Sequence, residues 1–213
     1  MADLLSVSGI TRVVTVDLHA AQIQGFFDVP FDHMPGGHTL ANYIKTKKLP
    51  NLVVVSPDLG GVGRARNFAE RLSAPLAIID KRRPQPGVAE VMNVIGDVKG
   101  KTAVLIDDMV DTAGSLCEAA HALKKLGAKE VYACCTHPVL TDPAASRIRD
   151  GEIEELVVTN TIPVPPHKMC DKIKVLTIAP VLAETIRAIY NDGSVSALFE
   201  TINRNQSVER NAQ

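Results

Sequence analysis

Seven short runs rich in valine, isoleucine and leucine constrain this chain more than any other feature: 11–18 (TRVVTVDL), 51–57 (NLVVVSP), 76–80 (LAIID), 102–108 (TAVLIDD), 130–136 (EVYACCT), 155–161 (ELVVTNT) and 173–178 (IKVLTI). None alternates cleanly between apolar and polar residues, which is the pattern of strands covered on both faces. Between them lie segments with apolar residues at helical spacing, notably 64–74, 115–128 and 181–193. The last two carry Gly127 and Gly193 where a left-handed helix stop is wanted. Strand and helix in alternation predict a doubly wound α/β domain: a mostly parallel sheet flanked by helices, with ligands gathered at the carboxyl ends of the strands.

The loops at those ends therefore carry the functional reading. Residues 58–66 (DLGGVGRAR) join an acid, Asp58, to a glycine-rich turn whose N–H groups can approach a phosphate at a helix start, although a plain tight turn explains them nearly as well. Residues 81–87 (KRRPQPG) put three cations ahead of two prolines; they predict a loop, either simply solvated or clamping a transferring phosphoryl group. Residues 104–115 (VLIDDMVDTAGS) bring three acids, Asp107, Asp108 and Asp111, to the end of an apolar run. Like charges repel, so hard oxygens in that density call for divalent cations or sugar hydroxyls. Thr112, Ala113, Gly114 and Ser115 then supply hydroxyls and small residues just before a helix, the parts of a phosphate cradle with the helix dipole behind it. A helix cap with an acidic first turn accounts for Ser115 but not for paired acids at a strand end.

Composition removes other classes. Twenty-three Lys and Arg against 24 Asp and Glu leave a formal net charge of −1, so no global field recruits nucleic acid or a membrane surface. The amino terminus lacks a secretory signal, and no run approaches the roughly 20 apolar residues of a membrane span; the expectation is a soluble, cytoplasmic protein. Cys117, Cys134, Cys135 and Cys170 form no zinc-spaced set and are expected to pack as small apolar residues. Residues 203–213 are polar without periodicity and read as a disordered tail.

The strand at 104–108 with the acids and hydroxyls after it resembles the phosphoribosyl-pyrophosphate fingerprint of type I phosphoribosyltransferases and ribose-phosphate pyrophosphokinases. The order of the other loops, TVDLH (15–19), GFFDVP (25–30), VVSPDLGGVGRAR (54–66), IIDKRRPQPG (79–87) and VMNVIGDVKGK (91–101), resembles the bacterial and plastid pyrophosphokinases. A phosphoribosyltransferase that consumes the product would not carry DKRRP. The resemblance implies a type I phosphoribosyltransferase-like fold and transfer of the diphosphoryl group of ATP to the anomeric hydroxyl of ribose 5-phosphate, with magnesium. It implies that Asp107, Asp108, Asp111, Thr112, Ala113, Gly114 and Ser115 hold ribose 5-phosphate, and that His19 and Asp58 ligate the magnesium of metal–ATP. It further implies that Lys81 and Arg83 are the catalytic cations, with Arg83 also touching the sugar phosphate. His33, His38, His121, His137 and His167 match no such position.

Family members carry a further amino-terminal segment of about domain size with most ATP contacts, which this chain is expected to lack. Residues 1–45 then read as the remnant of a first domain and 46–193 as an intact phosphoribosyltransferase-like domain. Residues 194–200 read as a strand returning to the first domain, and 201–213 as tail. The resemblance implies a homo-oligomer, a hexamer in the family. The alternative to an active enzyme is a non-catalytic fragment or partner subunit that binds ribose 5-phosphate.

Overall fold

The computed structural model describes residues 1–82 and 91–195. Arg83, residues 196–200 of the expected returning strand and the expected tail lie outside them. Seven strands make one sheet: β3 (Leu52–Ser56), β4 (Leu76–Arg82), β5 (Val91–Ile95), β6 (Thr102–Val110), β7 (Glu130–Pro138), β8 (Glu155–Thr159) and β9 (Ile173–Leu176). Their spatial order is β5-β4-β3-β6-β7-β8-β9, and every neighbouring pair is parallel except β4 with β5. The register aligns Val53 with Ala103, Ile106 with Cys134 and Val158 with Val175.

The apolar runs do not alternate because both faces are covered. Val53, Val55, Ala103, Leu105, Ala133 and Leu156 point to one face. There they meet Leu116, Ala119, Ala120 and Leu123 of helix α4 (Gly114–Lys125) and Ala144 and Ile148 of α5 (Ala144–Asp150). Val54, Val104, Ile106, Cys134 and Val157 point to the other, against Ala65, Phe68 and Ala69 of α3 (Val62–Leu72) and Leu40, Ala41 and Ile44 of α2 (Gly37–Thr46). In α3 and α4 the buried positions follow the i, i+3, i+4 spacing that lays one stripe on a sheet. Cys134 and Cys135 take opposite faces of β7, and burial pushes both thiols up. All four cysteines are free.

The expected strands and helices are present, with differences at their ends and additions between them. Strand β4 runs through Lys81 and Arg82 instead of ending at Asp80, because β5 pairs with it antiparallel and supplies partners to the backbone that a loop would leave to solvent. Gly127 (φ +92°) stops α4 as expected. After α6 (Ala179–Tyr190) the left-handed residue is Asp192 (φ 51°), one before Gly193.

Near the amino terminus, after the short helix α1 (Ala2–Val7), strand β1 (Val13–Val16) pairs parallel with β2 (Phe31–Met34), a partner that follows rather than precedes it. A two-stranded unit is marginal alone, and polar contacts tie this one to the main sheet. Asp17, at φ 41°, accepts the Gly36 N–H at 3.0 Å and the Thr136 hydroxyl through one carboxylate oxygen. His137 Nε2 donates to the carbonyls of Val16 and Asp17 at 2.9 and 3.0 Å. Helix α2 contains the boundary expected at 45/46 and packs with the residues that follow it. No helix among the described residues is long and apolar enough to cross a membrane.

Candidate functional site

Because β3, β4 and β6 are parallel, their carboxyl ends bring the loops after β3 and β6 and the end of β4 to one end of the sheet, while the loop expected at 81–87 lies beyond Arg82 outside the described residues. After β3, Asp58 Oδ1 accepts the Gly61 N–H at 2.7 Å, and Ser56 Oγ donates to the Asp58 carbonyl at 2.7 Å. The glycine-rich turn is thus tied by the acid that precedes it. A Cβ at 61 would stand 3.0 Å from Ser56 Oγ, so any larger residue crowds that hydroxyl.

Asp107 and Asp108 lie within β6, which continues to Val110, and not in the loop beyond the strand. Their repulsion is offset by one residue that the sequence did not single out. Arg64 Nη1 donates to Asp107 Oδ1 at 2.9 Å, and its Nη2 forms an ion pair with Asp108 Oδ2 at 3.2 Å. His19 Nδ1 donates to the same Asp108 oxygen at 2.7 Å. The Asp108 side chain is 2% exposed against 28% for Asp107, yet the two carboxyls move in opposite directions. Burial, reinforced by the neighbouring Asp108, pushes Asp107 up to about 6. Burial also pushes Asp108 up, but Arg64 and then His19 and Asp107 outweigh it, and Asp108 ends below the ordinary carboxylate range. Two adjacent acids are thereby differentiated: one is held as a carboxylate by its cations, and the other can change protonation near neutrality.

Beyond β6, Asp111 to Ala113 turn the chain into α4. Ala113 occupies the N-cap position in the left-handed conformation, φ 58°, and no side chain caps the helix. Ser115 is therefore inside the first turn, not the capping residue that the bland reading required. The uncapped start leaves backbone N–H groups for an external acceptor. The carbonyl of Thr112 accepts from Arg147 Nη1 of α5 at 3.0 Å.

Lys81 lies on β4, at this same end of the sheet, and Arg83 falls outside the described residues. Among the described residues no three His, Cys, Asp or Glu side chains gather closely enough to hold a metal ion by themselves. His19 and Asp58 are each engaged by protein partners, Asp108 and the Gly61 N–H.

The profile of the phosphoribosyl synthetase-associated domain matches residues 81–200, more than half of the chain. The chain belongs to the phosphoribosyl synthetase family. It is 60% identical over 200 residues to the ribose-phosphate pyrophosphokinase of Bacillus caldolyticus, covering 94% of this chain and 64% of that protein. To the ribose-phosphate pyrophosphokinase of Bacillus subtilis (strain 168) it is 58% identical over 198 residues, covering 93% of this chain and 62% of that protein. The solved phosphoribosylpyrophosphate synthetase from Mycobacterium smegmatis superposes with a TM-score of 0.83 at 46% identity, over 90% of this chain and 63% of that one. The chain spans just under two thirds of the curated relatives it matches. These matches agree with the resemblance read from the loops, and the mostly parallel α/β fold is that of a phosphoribosyl synthetase.

Sequence reasoning missed Arg64 and Arg147, which this phosphoribosyl synthetase fold places beside the acids and the turn. One signal for Arg64 was available. It sits in the first turn of α3, where the helix dipole disfavours a cation, so a second reason for a positive charge there was needed. Arg147 had no comparable signal, because it sits 35 residues from the carbonyl it meets.

Proposed function

We propose that this chain is the ribose 5-phosphate-binding and catalytic part of a ribose-phosphate diphosphokinase, transferring the diphosphoryl group of ATP to the anomeric hydroxyl of ribose 5-phosphate to give phosphoribosyl pyrophosphate and AMP. The observation that carries the reading is the continuity of one segment: the acid pair on β6 runs through Asp111 and Thr112 directly into the uncapped start of α4. The acids suit ribose hydroxyls, and the turn suits the 5-phosphate. Asp107, Asp108 and Asp111 orient the sugar; Thr112, Ala113, Gly114 and Ser115 take the phosphate through N–H groups and hydroxyls.

Phosphoryl transfer asks the protein mainly for positioning and charge neutralisation. Lys81 and Arg83 are assigned to the charge that develops on the transferring group. Arg64 keeps both acids compact before substrate arrives, and the bond to Asp108 sets the orientation of the His19 ring. Magnesium takes one or two carboxylates and completes its shell with water and substrate oxygens. The hard oxygens of Asp107, Asp108 and Asp58 fit that chemistry, with His19 beside Asp108. When bound, magnesium would neutralise and align the phosphate oxygens of ATP. A cytoplasmic homo-oligomer is part of this proposal.

The test is AMP release from magnesium, ATP and ribose 5-phosphate by the purified chain, with Lys81→Ala as the control. AMP formation lost in Lys81→Ala supports the reading. The same assay tests against the alternative, a non-catalytic ribose 5-phosphate-binding portion. AMP release only when the complementary part of a longer relative is added in trans would establish it.

A further inference from the structure

We propose that Arg147 is the positioning residue of the phosphate-binding turn, acting through the Thr112 peptide, an inference that rests on the ribose 5-phosphate reading of that turn. Arg147 Nη1 donates to the Thr112 carbonyl at 3.0 Å across 35 residues of sequence. In a trans peptide the C=O and the following N–H point in opposite directions. Drawing the Thr112 carbonyl toward α5 therefore aims the Ala113 N–H away from Arg147.

Two further observations converge on that peptide. Ala113 is held at φ 58°, a conformation L-residues avoid, and the residue after it enters α4. A left-handed residue followed by helical ones makes successive N–H groups converge on a single concavity suited to an anion. The orientation of the Thr112–Ala113 peptide sets the Ala113 φ angle, and the charge-assisted bond from Arg147 stabilises that strained orientation before any ligand is present. Gly114 is shaped to the same contact. A Cβ there would stand 3.3 Å from Arg147 Nη1 and 3.7 Å from Thr112 Oγ1, so a larger residue crowds the guanidinium where it meets the carbonyl. The small residue that the sequence offers for the turn here also makes room for a cation from another helix.

This role differs from direct phosphate binding and from general packing, and a double-variant cycle separates them. Binding of ribose 5-phosphate and of inorganic phosphate is measured by calorimetry for the full chain. Arg147→Ala is expected to weaken both ligands about tenfold, as expected when preorganisation is lost. Gly114→Ala is expected to do the same, and to have no further effect in the Arg147→Ala background, because the contact it disturbs is already gone. The unfolding midpoint of Arg147→Ala is expected to stay near that of the parent, since the side chain is exposed. Equal affinity of Arg147→Ala and the parent overturns the inference alone, as do losses that add in the double variant. No binding by the parent chain overturns the reading of the turn and this inference with it.

Discussion

Asp108 and Asp17 are two acids held by opposite means. Asp17 satisfies one carboxylate oxygen with neutral donors, the Gly36 N–H and the Thr136 hydroxyl, and thereby joins the β1–β2 unit to β7. Asp108 is 2% exposed and is paired with two groups that carry or can carry positive charge, Arg64 and His19, in contact with a second carboxylate. Neutral donors make a joint, whose value lies in geometry. Cations around paired acids make a charge balance that a bound ligand can enter and rearrange. His38 stands between the two cases. Its Nδ1 accepts from Arg71 Nη1 at 2.7 Å, so the ring is neutral in the fold although its neighbour is charged.

Four tests break or sharpen this contrast, in falling order of effect. At the ionic end, Lys81→Ala should lower AMP release about a thousandfold, the scale of losing a cation that serves the transferring phosphoryl group, while ribose 5-phosphate affinity stays within threefold of the parent. Near-parent turnover would remove Lys81 from the catalytic assignment.

The second concerns His38. Burial, then Arg71 and Lys45, lower its pKa from 6.5 to about 4. Between those values the unfolded chain binds the proton that the fold refuses, so stability rises with pH through this window and is flat above it. The loss on acidification from pH 6.5 to 4 should reach about 3 kcal/mol from this group. Unfolding midpoints of His38→Gln against pH should show a shallower slope across the same window; an unchanged slope would count against a neutral His38.

Third, Arg64→Met leaves Asp107 and Asp108 facing each other without the shared guanidinium. A loss of about 2–3 kcal/mol is expected in urea unfolding. Adding Asp108→Asn to that variant should recover part of it, because the uncompensated charge, not the missing contact, carries the cost. No recovery would show that Arg64 acts through packing.

The smallest effect belongs to the joint. Asp17→Asn retains an oxygen that can accept from both Gly36 and Thr136 and should cost less than about 1 kcal/mol, whereas Asp17→Ala strands both donors and should cost about 1–3 kcal/mol. If Asn proved as damaging as Ala, the charge of Asp17 and not its hydrogen bonding would be what matters, and the contrast with Asp108 would collapse.

Much of the fold was legible along the chain because it is written in local periodicity. The runs at 51–57 and 102–108 are apolar on successive residues, and this predicts strands covered on both faces without reference to what covers them. Strand β5 escaped that reading, since its five residues carry Asn93 in the middle and gain their strand identity from pairing with β4. Lys81 and Arg82, the first residues of the expected loop, are strand for the same reason, and the rest of that loop lies outside the described residues. The acids and the turn of the candidate site stood out because one segment, 107–115, holds them all. Their pairing with Arg64 and His19 did not, since each comes from elsewhere in the chain: Arg64 from 43 residues before Asp107, and His19, singled out only as a metal ligand, from 89 before Asp108.

The order of strands and helices, the end of the sheet where chemistry gathers and the acid-then-hydroxyl segment follow from the sequence alone, because apolar spacing and residue chemistry act over a few neighbours. Which cation balances which acid, why Ala113 rather than a glycine takes the left-handed position, and what Asp17 holds were decided by tertiary structure. Those outcomes depend on hydrogen bonds between groups that only the folded sheet brings within 3 Å of each other.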